Sequence, residues 1–143
     1  NRTVGALRHG LTKYGGSLGE NGSVAWQFTM KSYFAFPTGD HDPDEIFELA
    51  VDAGADDVVF DSEEIEIFGE ANAFKLIGDQ LRAASIKTEE AALRMIPNQE
   101  MELPVDQTVI VLKVIEELED LDDVQRVDSN LAITDEALEK FAI

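Results

Sequence analysis

Four basic side chains, Arg2, Arg8, Lys13 and Lys31, stand in the first 36 residues against a single acid, Glu20. The rest of the 143-residue chain holds 7 basic and 29 acidic residues, so a segment of net charge +3 precedes a body of −22. Clustered cations of this kind bind phosphate, because each phosphate neutralised releases counterions and adds salt-dependent affinity. A body this acidic repels a phosphate backbone, which leaves one segment able to meet it. At ~100° per residue, Arg2, His9 and Lys13 share one face of a helix over 2–14. Lys31 falls in a nearby turn. An ordinary solvated helix face accounts for the same residues.

Behind the helix comes a glycine-rich run, Thr12-Lys13-Tyr14-Gly15-Gly16-Ser17-Leu18-Gly19-Glu20-Asn21-Gly22-Ser23. Backbone N–H groups in such loops can cradle phosphate. This one lacks the Gly-Lys-Ser/Thr ending of a P-loop, and its helix-then-strand order reverses that of a dinucleotide fold. A nucleotide site is not expected. A helix cap at Gly15-Gly16 and turns at Gly19 and Gly22 explain the glycines, while leaving a permissive backbone that a partner can approach.

Other chemistry finds no support. The chain has no cysteine, hence no thiolate nucleophile and no Cys-based zinc site, and its only histidines are His9 and His41. Asp40-His41-Asp42 looks like a ligand cluster, but Asp42 serves better as a helix cap. The acidic runs at 61–64, 89–90 and 116–123 lack calcium-loop spacing. There is no nucleophile elbow, and no carboxylate pair stands out as acid and base. We expect no enzyme, cofactor or metal. Trp26 and Phe28 could stack on bases. Their alternation with Ser23, Ala25, Gln27 and Thr29 instead predicts a half-buried strand and places both in the core.

The elements that must position these residues follow from periodicity. Val4, Leu7, Leu11 and Tyr14 form the apolar stripe of the first helix, which Gly5 and Gly10 weaken. After a tight connection at Met30-Lys31, a second strand spans Tyr33–Phe36. Asp42-Pro43-Asp44-Glu45 starts a helix with Ile46, Leu49, Ala50 and Ala53 inward. Strands at 58–60 and 65–68, a helix over 70–84 and a strand at 91–95 complete the middle. The last third reads as a strand at 101–103, a helix over 106–120, a strand at 124–128 and a short helix capped by Thr134. Helix ends running into Asp-Asp-Val at 56–58 and 122–124 suggest two α+β units. No apolar run approaches the ~20 residues that span a bilayer.

Several stretches together resemble the YebC family. They are Asn1-Arg2-Thr3-Val4, Leu7-Arg8-His9, Thr12 through Gly19, Gly22 through Phe28, Ala53-Gly54-Ala55-Asp56-Asp57-Val58, Met95-Ile96-Pro97 and Leu118 through Gln125. The resemblance runs in order to about Asn130. It implies an α+β fold of two small two-layer sandwich domains, one ferredoxin-like and inserted in the other. The outer domain would be 1–37 plus 98–131, the inserted one 38–97, and 132–143 a tail. It also implies a basic N-terminal helical domain, absent from this chain. Bacterial members are described as DNA-binding transcriptional regulators and as translation factors relieving stalls at proline-rich stretches. The mitochondrial relative activates translation of cytochrome c oxidase subunit one. The expected function is therefore non-enzymatic regulation of gene expression, by a cytoplasmic or organellar monomer that binds DNA, ribosomal or transfer RNA, or the ribosome, with no membrane partner. The expected contacts are Arg2, Arg8, His9, Lys13, Gly15, Gly16, Asn21 and Lys31. The alternatives are an acidic protein-interaction module, with nucleic-acid binding confined to the absent domain, and a small-molecule sensor.

Overall fold

The computed structural model describes residues 2–143. Asn1, the first residue of the expected outer domain, lies outside them. The fold is α+β, with five α-helices and one four-stranded sheet among the described residues, and the chain divides into two compact units.

The inner unit is Thr29–Ile96. It runs β1 (Phe28–Pro37), α2 (Pro43–Asp52), β2 (Ala55–Phe60), β3 (Glu64–Glu70), α3 (Phe74–Ala83) and β4 (Glu90–Pro97), following α1 (Arg2–Lys13). The strand order β2-β3-β1-β4 is the ferredoxin-like arrangement, and β3 pairs antiparallel with both β1 and β2. Alternate residues of a strand share a face. Phe34 and Phe36 of β1, with Ile65 and Ile67 of β3, therefore meet Ile46, Ala50 and Ala53 of α2 and Ile77 and Leu81 of α3. Asp42 caps α2 by accepting from the Asp44 N–H, and Pro43 stands in the first turn, as its sequence predicts. His41 packs edge-on against Phe36. On the other face of β1 the Tyr33 hydroxyl donates to Glu66 and the Arg94 guanidinium lies 4.7 Å from the Tyr33 ring centre. Burial, then the Glu66 carboxylate beside it, holds that hydroxyl protonated well above the usual tyrosine range.

The resemblance implies an outer segment that ends at 37, whereas the boundary between the two compact units falls after Phe28. The strand Phe28–Pro37 supplies a central strand of the inner sheet. Its run over Ser32–Phe36 is buried at every residue. Such a strand belongs where both neighbours complete its hydrogen bonds. Met30-Lys31, expected as a connection, lies inside it.

The outer unit joins the residues up to Phe28 with Pro97–Ile143. It holds α1, a 3-10 turn at Ala25–Gln27, α4 (Val105–Glu119) and α5 (Asp135–Ala142). Thr134 caps α5 by accepting from the Ala137 N–H at 3.2 Å. The strands expected around 24–28, 101–103 and 124–128 are not formed as such. Val24 accepts from the Gln27 N–H in the 3-10 turn, Met101 makes a single parallel bridge with Leu131, and 124–128 has no ladder. Alternation marks a half-buried extended segment, but a strand also needs a partner backbone at the right distance. No helix among the described residues is long and apolar enough to cross a membrane.

Phe36 is fully enclosed by the core of the inner unit. Phe36→Ala is expected to destabilise the protein by about 3–5 kcal/mol, as removal of a buried aromatic does. The check is the urea unfolding midpoint followed by far-UV circular dichroism.

Candidate nucleic-acid interface

Gly10 is the one buried residue of α1. A Cβ at Gly10 would stand 3.4 Å from Leu118 Cδ2 on α4. At the start of α1 the Thr3 hydroxyl donates to Asp123 Oδ2 at 2.6 Å. The covered side of α1 carries Thr3, Ala6, Leu7, Gly10, Leu11 and Tyr14, so Leu7, Leu11 and Tyr14 of the expected stripe are packed while Val4 is left exposed. Gly10 looks like a weakness by propensity alone, yet it is the residue of α1 that the fold buries.

This packing sorts the expected contact residues. Arg8 and His9 point outward, and among the described residues neither has an ion-pair partner. Lys13 lies on the flank toward α4, 3.3 Å from Glu117 Oε1, with its ammonium 5.5 Å from the Tyr14 ring centre. Arg2 lines a crevice with Asp122 and Asp123. Lys31 is elsewhere, on β1 of the inner unit, 2.9 Å from Asp56 Oδ2. Four nominal cations thus reduce to Arg8, which His9 accompanies on the open face of α1, two side chains beside carboxylates, and one in the other unit. Both ion pairs keep substantial solvent exposure, and pairs of that kind contribute at most ~1 kcal/mol, so a phosphate can displace the acid.

Gly15 and Gly16 close α1 as its sequence predicts. Gly15 has φ +84°, its N–H donates to the Thr12 carbonyl at 3.0 Å, and the Gly16 N–H donates to the Leu11 carbonyl at 2.9 Å. This double bond pattern satisfies helix-end carbonyls and needs a left-handed residue. From Gly15 to Trp26 every residue is exposed. The run is nonetheless ordered by its own hydrogen bonds, Ser23 N–H to the Glu20 carbonyl and Ala25 N–H to the Gly22 carbonyl. Asn21 sits in the first of these turns.

The expectation that Trp26 is core fails here. It is 75% exposed, with Val24 at 57% and Leu18 at 38% on the same run. The alternating pattern conceals a turn. The Asn21-Gly22 pair, which favours positive φ, is the signal that marks it, and Gly22 has φ +81°. Phe28 is half-buried at the head of β1.

Residues 1–131 match the family described as the TACO1/YebC second and third domain. The chain belongs to the TACO1/YebC family. A protein of Herpetosiphon aurantiacus named a probable transcriptional regulatory protein is 41% identical over 143 residues, covering 99% of this chain and 57% of its own length. One of the same name from Tolumonas auensis is 44% identical over 137 residues, covering 95% and 55%. The crystal structure of a conserved hypothetical protein from Aquifex aeolicus superposes with a TM-score of 0.85 at 31% identity, over 94% of this chain and 56% of that one. The chain thus spans a little over half the length of these relatives.

Gly15→Ala is expected to lower stability by about 1–2 kcal/mol, because an L-residue resists the left-handed conformation. A lowered urea midpoint, with unchanged helix content in the native baseline, is the reading to look for.

Proposed function

We propose that this part of a TACO1/YebC-family regulator acts by binding, and that it docks nucleic acid through the outer face of α1 and the run that follows. The observation that carries this is the outward pair Arg8 and His9, free of acid partners among the described residues, leading into twelve exposed residues with one carboxylate, Glu20. In a chain of net charge −19 such a surface is where a polyanion meets least repulsion. At physiological salt the Debye length is ~8 Å, so local charge outweighs the distant body. The family and the names of the relatives support a role in gene expression. The residues of this face offer charge and open backbone and no acid–base pair, so binding is the whole of the proposed activity.

The engagement of Lys13 by Glu117 and of Lys31 by Asp56 favours a second reading, an acidic protein-binding module that makes no nucleic-acid contact.

Fluorescence anisotropy of labelled RNA against this chain, over a salt series, separates the two. Arg8→Glu is expected to weaken binding and to reduce the log–log salt slope by roughly 0.7–0.9 for each phosphate no longer neutralised. Binding that is unchanged in affinity and slope would remove the basic face from the mechanism and leave the second reading.

A further inference from the structure

We infer that Trp26 is a base-stacking side chain, and that the nucleic acid taken by this surface is single-stranded. The inference rests on the reading proposed above and adds the chemical class of its target.

Trp26 is the only tryptophan in the chain, and it is three-quarters exposed. Large aromatics are ordinarily well covered in folded proteins, because burying them is a main source of stability. This one is held in the open. Its indole N–H donates to the Ser23 carbonyl at 3.1 Å, so its one polar side-chain atom is already satisfied. Its own carbonyl accepts from the Asn98 side-chain amide at 3.3 Å. The next carbonyl, of Gln27, accepts from the Asn98 N–H at 2.8 Å. The Gln27 side chain is held in turn by Asn130 at 3.3 Å. Ring and backbone are thus fixed before any partner arrives, which reduces the ordering cost of binding.

An indole with its N–H satisfied offers a partner only π-faces and edge. Bases in a duplex have their faces occupied by their neighbours, whereas unpaired bases present theirs. Surfaces that bind single strands combine cations along the backbone with aromatics for the bases, and this stacking tolerates any sequence. The outer unit supplies both parts, Arg8 and His9 on α1 and Trp26 at the end of the exposed run. An exposed tryptophan also suits a protein partner. The near absence of acid from residues 1–39, in a chain with 30 acidic side chains, favours a polyanion over an acidic or neutral protein surface.

The lone tryptophan makes the test direct, since intrinsic tryptophan fluorescence reports on position 26 alone. The chain is titrated with an unstructured RNA of about 12 nucleotides, within the span single-strand sites occupy, and with the matching duplex. Anisotropy of labelled strands gives affinity in parallel. The expected result is saturable quenching by the single strand, tighter binding of it than of the duplex, and a loss of about five- to a hundredfold in Trp26→Ala. The salt slope should stay the same in that variant, and Trp26→Phe should recover part of the affinity. Because the ring is exposed, the urea midpoint of Trp26→Ala should match that of the parent chain. Single-strand binding with unaltered fluorescence and an unaffected Trp26→Ala overturns the stacking role while leaving the docking face in place. Preference for the duplex overturns the single-stranded target. Absence of binding to either nucleic acid overturns both this inference and the reading beneath it, and leaves Trp26 to a protein partner.

Discussion

The packing of α1 against α4 and the segment after it, with Gly10 buried and Thr3 bonded to Asp123, decides which side of α1 meets solvent. Gly10 faces α4, with Leu118 Cδ2 3.4 Å from where its Cβ would stand, and this face of α1 is the covered one. With Gly10 against Leu118, Lys13 and Arg2 fall beside the carboxylates of α4 and the segment after it, while Arg8 and His9 face away. Which cations of α1 face solvent is therefore a consequence of the packing beneath them.

The charge of the chain acts at two ranges. At long range the excess of acid discourages indiscriminate attachment to polyanions. At short range carboxylates compete with any ligand for the same cations, as Glu117 does for Lys13 and Asp56 for Lys31. Exposed pairs are weak and salt-sensitive, so in the proposed docking this competition would temper affinity without abolishing it. On the proposed docking face, where free cations are few, stacking on an anchored aromatic ring would add a non-electrostatic contribution.

The inner unit is built on a different plan. Its core draws on both sheet and helices, with Phe34, Phe36, Ile65 and Ile67 meeting α2 and α3. It is an insertion within the chain of the outer unit, entered after Phe28 and left at Ile96. Trp26 and Asn98 stand just outside those two points, and the hydrogen bonds between them tie the two passages of the outer chain together.

Capping chemistry and strong periodicity are legible in the residues themselves. Asp42-Pro43 starting α2, Gly15-Gly16 ending α1 and Thr134 starting α5 act within one turn of backbone, so neighbouring residues suffice to specify them. The charge contrast and the stretches shared with the family are equally plain. Three things depend on residues far apart in the chain. The strand Phe28–Pro37 joins the inner sheet because β3 is there to pair with it. The segments around 24–28 and 124–128 form no strand of their own for want of such a partner, which leaves Trp26 in solvent. The partners of Lys13 and Lys31 lie 104 and 25 residues away, so local charge counting identifies the cations but not which of them remain free. Local propensity is written in adjacent side chains, whereas register, rotation and ion pairing are settled only when distant surfaces compete for the same space.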